Sequence, residues 1–208
     1  HQEAWERTIE MLDTSDIKGK TILDVGCNQG GFLRKLYDTM PFKEGVGIDL
    51  ARLSLEKAET LKGERPLTYY LTDKPQETNR TFDTAVSTSV LYLIEDIPQH
   101  AQDLKEVLKP GGVYYASFAD LTNNPSRQFM DDTINQYGAT PSQNHSLKHI
   151  VDSFVDAGFE VAVMKEPVPD VIDLTHYSDF YLSPNDYLQT LYEESFLIKA
   201  SVKEGIGK

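Results

Sequence analysis

The chain has 208 residues, 39% of them hydrophobic, enough to bury one sizeable core, and a single domain over residues 1–208 is expected. Lys and Arg total 20 against 33 Asp and Glu, so the formal charge of −13 repels polyanions and disfavours a nucleic-acid partner; no Lys/Arg cluster offsets it. The lone cysteine, Cys27, excludes an internal disulfide, no Cys/His set has zinc spacing, and neither an 18-residue apolar run nor a signal-like first segment stands out, so a metal-free, cytoplasmic protein with no membrane span is expected.

Taken in chain order, Trp5, Ile9 and Leu12 recur at offsets of four and three and predict a short amphipathic helix over residues 3–12. "KTILDVG" (20–26) reads as a buried strand. A helix over 31–40 follows, with Phe32, Leu33, Leu36, Tyr37 and Met40 on one stripe, and Pro41 stops it. "GVGIDL" (45–50) is a second strand, and residues 51–62 form a helix expected to bury Leu53, Ala58 and Leu61. "LTYYLT" (67–72) and "FDTAVSTSV" (82–90) are the third and fourth strands. Between the fourth and the fifth, "GVYYASF" (112–118), a helix over 95–109 turns Ala101, Leu104, Val107 and Leu108 inward and closes at "KPGG".

A last helix over 146–158 packs through Leu147, Ile150, Val151, Phe154 and Val155, and residues 159–164 and 195–202 add two strands. Strands alternating with helical segments predict an α/β class with a parallel sheet covered on both faces. Two connections, 119–145 and 165–194, exceed the usual length and suit lids, substrate walls, contact with a second copy in a homodimer, or plain surface decoration.

The first loop carries the chemistry. In "ILDVGCNQGGF" a strand runs into a glycine-rich turn and a helix, the arrangement that binds nucleotides outside the carboxyl ends of parallel strands. A dinucleotide loop of the G-x-G-x-x-G kind places a glycine in the middle, where the backbone touches pyrophosphate; here that position is Asn28. A side chain there crowds a phosphate, yet Asn tolerates the left-handed backbone of a tight turn. A phosphate-free nucleoside ligand such as S-adenosylmethionine satisfies both facts.

With "GIDL", "FDTAVSTSVLYLIED" and "DLKEVLKPGGVYYASF" following in order, residues 18–120 resemble the class I S-adenosylmethionine-dependent methyltransferases. The resemblance implies a Rossmann-like, doubly wound sheet of seven strands, order 3-2-1-4-5-7-6 with strand seven antiparallel. It implies that Asp24, Gly26, Cys27, Asn28 and Gly30 curl around the methionine part of the cofactor, with Asp24 near the ammonium group. Asp49, 23 residues beyond Gly26, is expected to bind the ribose hydroxyls, though an acid there also caps the next helix. Leu50 is expected against the adenine, Thr72 and Asp73 near its amine, and Ser87 near the methionine part.

The implied activity is methyl transfer by in-line displacement to a small organic molecule through oxygen, nitrogen or carbon, leaving S-adenosylhomocysteine. Charge disappears in that reaction, so positioning and exclusion of water matter more than an oxyanion site, and a hydroxyl acceptor gains from a base. Candidates are Tyr92, which the resemblance places at the substrate cavity, and His145, His149 and His176 at or in the long connections. The aromatics Tyr177, Phe180, Tyr181 and Tyr187 suit an acceptor wall, core packing or a dimer contact equally. RNA or protein as acceptor, a non-catalytic domain that binds S-adenosylmethionine, and a nicotinamide-dependent reductase stay open as alternatives.

Overall fold

The computed structural model describes residues 2–204 and forms one seven-stranded sheet. Its strands are β1 (Thr21–Val25), β2 (Glu44–Asp49), β3 (Leu67–Leu71), β4 (Phe82–Ser87), β5 (Leu108–Ala119), β6 (Phe159–Lys165) and β7 (Ser195–Val202). They lie in the order β3-β2-β1-β4-β5-β7-β6, with β7 antiparallel to both its neighbours, as the family resemblance implies. The order reverses between β1 and β4, so a crevice opens beyond their carboxyl ends.

The helices are α1 (Gln2–Met11), α2 (Thr14–Ile17), α3 (Gly31–Thr39), α4 (Arg52–Leu61), α5 (Ile97–Val107), α6 (Arg127–Tyr137), α7 (Leu147–Asp156) and α8 (Pro184–Gln189). Successive strand residues point to opposite faces, and each face has its own core. Ile22 joins Ile9, Ile17, Phe32, Leu33 and Leu36 beneath the first helices, whereas its neighbour Leu23 joins Ile97, Leu104, Ile150 and Phe154.

Three local expectations need correction. α4 buries Leu55 and Ala58, while Leu53 is 80% exposed and Leu61 is also exposed; the helix touches the sheet only near its edge strand, so its buried stripe is narrow. Val155 faces solvent, and Ser153 takes its place inside by donating to the His149 carbonyl at 2.7 Å. β5 begins four residues earlier than "GVYYASF" suggests, because Leu108 pairs with Phe82 before the ladder shifts register and resumes at Val113.

His100 on α5 sits inside the core. Its Nε2 lies 3.0 Å from the Tyr114 hydroxyl, which lies 2.5 Å from the Ser87 hydroxyl. Burial lowers the His100 pKa to about 4. The unfolded chain therefore binds a proton at this site between about pH 6.5 and 4 that the folded chain refuses, so its contribution is complete above pH 6.5 and lost as pH falls toward 4. Asp24, whose pKa burial raises, acts in the opposite sense over part of that window. Comparing the pH dependence of denaturant unfolding for the native chain and His100→Gln cancels Asp24 and should expose a differential loss of up to about 3 kcal/mol; parallel curves would show that His100 does not titrate as its burial dictates.

Candidate active site

The crevice is built on the turn between β1 and α3. Gly26 and Cys27 donate to the Ile48 carbonyl at 2.9 and 3.0 Å, which ties the turn to β2. Gly26 and Gly30 take φ of 73° and 71°, and Asn28 takes 49°, the left-handed region expected of it. A Cβ on Gly30 would come within 2.3 Å of the Tyr69 hydroxyl, so that position accepts glycine alone. The left-handed bend aims the Asn28 N–H at Asp49, whose Oδ2 accepts it at 2.8 Å; Oδ1 accepts the Ala51 N–H, also at 2.8 Å. Asp49 thus caps two backbone segments, as the simpler reading of it allowed, and each oxygen keeps a lone pair.

Asp24 lies in the middle of β1, between Gly47 and Val86 of the neighbouring strands. Its carboxylate is buried, and among the described residues neither oxygen has a hydrogen-bond partner. Desolvation, helped by the Asp49 charge, raises its pKa well above the ordinary carboxylate value. A buried acid without a partner is costly unless something outside the chain satisfies it. Cys27, packed against Gly47, is buried too, and burial pushes its thiol pKa far up, which removes it as a nucleophile.

The remaining cofactor candidates divide. Leu50, the residue after β2, is 63% exposed. Thr72 is buried, but its hydroxyl donates to Glu77 at 2.5 Å and accepts the Lys74 N–H at 3.0 Å, so it braces the turn after β3. Asp73 beside it is exposed. The Ser87 hydroxyl is held by Tyr114 in the core, which leaves only its backbone to face a ligand.

A cavity of about 680 Å³ adjoins this crevice. Thr88 and Ser89, just beyond β4, form the near wall, and the Val90 side chain presses on Gly26, joining cavity to turn. Ser89 holds φ of 57°, a sparsely occupied conformation for a residue with a side chain, and its N–H is held by the Ser117 hydroxyl at 2.8 Å. Trp5 of α1 closes the top; its ring lies where a Gly31 side chain would be and meets Phe32 edge-on at 6.5 Å.

Of the proposed bases, Tyr92 and His145 line this cavity. The Tyr92 phenol has a pKa raised by burial. His145 Nε2 sits 2.6 Å from the Ile94 carbonyl, which only accepts, so Nε2 carries the proton and Nδ1 keeps its lone pair. His149 and His176 are exposed and outside the cavity: His149 lines a shallow depression between α5 and α7, and His176 precedes a short turn at 177–179. Phe180 and Tyr181 line the cavity, whereas Tyr187 stacks on Tyr181 at 5.0 Å and Tyr177 lies elsewhere.

Sequence patterns gave no sign of Arg7, Asp131 or Glu166, which also line the cavity. Each is a charge in a segment without a recognisable motif, and they come from three distant parts of the chain. Among the described residues, no His, Cys, Asp and Glu group suits a metal ion, and no helix is long and apolar enough to cross a membrane.

A family profile for a methyltransferase domain matches residues 23–114, the stretch from β1 into β5 that holds the turn, Asp24 and Asp49. Over those residues the chain carries a methyltransferase domain, and its sheet has the strand order that the class I resemblance implies. A tRNA U34 carboxymethyltransferase of Hydrogenovibrio crunogenus is 34% identical over 117 residues, covering 52% of this chain and 34% of that protein. A malonyl-[acyl-carrier protein] O-methyltransferase of Anoxybacillus flavithermus is 28% identical over 105 residues, 50% of this chain and 40% of that one. The chain spans only about a third of the length of the first curated relatives it matches. A methyltransferase of Haloferax volcanii, solved in complex with the Trm112 methyltransferase activator, superposes with a TM-score of 0.78 at 18% identity, over 98% of this chain and 91% of that one.

The residues present fit the family's cofactor, S-adenosylmethionine. Asp24 lacks the cation that would satisfy it, and Asp49 offers free lone pairs above a turn that lacks side chains at Gly26 and Gly30. Asp49→Ala removes the acceptor for two backbone N–H groups and any ribose contact. Affinity for S-adenosylhomocysteine should fall by roughly tenfold or more, and Asn28→Gly, which keeps the left-handed turn, should bind as the native chain does. Calorimetric titration of both variants checks this; equal weakening in the two would move the role from the turn to the Asn28 side chain.

Proposed function

We propose that this protein is a methyltransferase that passes a methyl group from S-adenosylmethionine to a small organic acceptor through oxygen, nitrogen or carbon. The observation that carries it is Asp24: a buried carboxylate with no hydrogen-bond partner among the described residues, in β1 just before the glycine turn, with an acceptor-sized cavity beyond the neighbouring strand β4.

When bound, S-adenosylmethionine supplies an electrophilic methyl on a sulfonium sulfur. Asp24 would hold the ammonium group, and a cation there favours the ionised acid that burial opposes. Asp49 would accept from the ribose hydroxyls, and Leu50 would cover the adenine. Trp5 and Tyr92 give the neighbouring cavity aromatic walls against which an acceptor would be aligned, and alignment is the chief gain in methyl transfer. His145 is the base for a hydroxyl or ammonium acceptor: its Nε2 proton is fixed on Ile94, and Nδ1 is left to take a proton.

A second reading makes the acceptor part of a macromolecule, since the relatives named above act on a tRNA and on a carrier protein. The charge of −13 opposes the RNA form of it. A cavity walled by α1, α6 and the second long connection favours a compact group over a folded surface.

Titration with S-adenosylhomocysteine and with NADH separates this reading from a reductase: the first should bind and the second should not. S-adenosylhomocysteine release is then followed over small hydroxyl and amine acceptors, bulk tRNA and carrier protein. With the accepting compound, His145→Ala should lower turnover by roughly a hundredfold or more while leaving cofactor affinity intact. Binding of NADH alone would discard the proposal, and turnover on tRNA alone would establish the second reading.

A further inference from the structure

We propose that Arg7 and Glu166 form a recognition site for the head group of the acceptor, and that this head group is a zwitterion of the α-amino-acid kind. The inference rests on the methyltransferase reading for the location of the reacting end, and on the cavity itself for the rest.

Position comes first. Thr88 and Ser89 follow β4, at the turn that would hold the cofactor, whereas Glu166 follows β6 at the opposite end of the cavity. β4 and β6 are separated by β5 and β7, hence by three strand spacings, roughly 14 Å. Glu166 is therefore too far from the reacting end to take a proton there, and whatever it contacts is the remote part of a bound acceptor. Between the two ends the walls are largely apolar, with Phe118, Met130, Ile134 and Tyr181.

The charges come second. Among the described residues, the Asp, Glu, Lys and Arg side chains that line the cavity are Arg7, Asp131 and Glu166. Asp131 is answered, since it accepts from the Ser142 hydroxyl at 2.8 Å and lies 4.0 Å from Arg127. Arg7 and Glu166 have no hydrogen bond or ion pair through their side chains among the described residues, with each other or with anything else. Lys165 forms no ion pair with Glu166, for its ammonium donates to the Leu191 and Ser195 carbonyls and lies over the Phe196 ring. Both side chains are partly buried, and burial raises the Glu166 pKa while the fields of Arg7 and Lys165 oppose that rise. The two charges thus share one neighbourhood without forming a pair.

Two half-buried, opposite, unpaired charges are unfavourable on their own. A ligand end that carries an anion for the guanidinium and a cation for the carboxylate satisfies both at once. A carboxylate alone leaves Glu166 unanswered, and an amine alone leaves Arg7 so. An α-amino carboxylate on an apolar body, with its nucleophile at the far end, matches the charges, the wall and the span.

L-Tyrosine serves as the probe, beside tyramine, which lacks the carboxylate, and 3-(4-hydroxyphenyl)propanoate, which lacks the ammonium. Each is titrated into the full chain with and without S-adenosylhomocysteine, followed by calorimetry and by the fluorescence of Trp5, the only tryptophan and part of the cavity wall. Tyrosine should bind at least about tenfold more tightly than either analogue. Arg7→Gln should abolish its advantage over tyramine alone, and Glu166→Gln its advantage over the propanoate alone. Equal binding of the three, an advantage that survives both substitutions, or no tyrosine binding to a chain that takes up S-adenosylhomocysteine overturns the proposal. Failure of S-adenosylhomocysteine to bind while tyrosine does so with the expected preferences instead removes the cofactor reading and leaves the head-group site standing.

Discussion

One carboxylate holds the crevice in shape. Asp49 accepts the N–H of Asn28 from the turn after β1 and the N–H of Ala51 from the entry to α4, and so locks the ends of two adjacent parallel strands. Only a left-handed residue at 28 can present its N–H that way, which explains an asparagine where a glycine is customary: the backbone needs the conformation, and nothing at this position needs the missing side chain. The consequence propagates. The turn fixes Gly30 against Tyr69 and Gly31 against Trp5, so the start of α3 and the seat of α1 both depend on it.

Polar groups removed from water differ in whether the chain satisfies them. His100, Tyr114 and Ser87 satisfy one another in the core. Asn124 donates to the Asp186 carbonyl, to Thr190 and to Glu194 at 3.0 to 3.1 Å, while Ser126 donates to Asp186 at 2.5 Å. That second network pins α8 and the π-helical turn at 190–194 to the first long connection through Asn124 and Ser126. Asp24, Arg7 and Glu166 are of the other kind. They are removed from water to varying degrees and have no side-chain hydrogen bond or ion pair among the described residues; Arg7 and Glu166 line the cavity, and Asp24 is buried in β1 just before the turn.

Periodicity and turn chemistry exposed the strands, the long helices and the left-handed turn after β1, because each rests on residues close in sequence. Asp24, Gly26, Asn28 and Gly30 fall within seven positions, and Asp49 ends the very next strand. Failures came where contacts are distant. Leu53 and Val155 are apolar at helical spacing, but how wide a stripe a helix buries is decided by what it packs on. Thr72 and Ser87 stood near the right strand ends, and their hydroxyls went to Glu77 and Tyr114, partners no local pattern identifies. α2, a single turn of four residues, is too short to have a period at all.

The acceptor cavity takes this contrast to its limit. Its walls come from α1, the ends of β4, β5 and β6, α6, and the segment around Phe180, so the residues that meet there are separated by up to most of the chain. No spacing rule can bring Arg7 and Glu166 together; only the order β4-β5-β7-β6 and the docking of α1 do so. The same separation makes the cavity easy to alter. A change of charge at 7 or 166 disturbs no hydrogen bond of the scaffold, whereas a change at 24, 28 or 49 acts on the central strand or the turn beside it. Selectivity for an acceptor can therefore vary on a constant cofactor frame, and for that reason a family profile ending at residue 114 identifies the frame and is silent about the molecule that receives the methyl group.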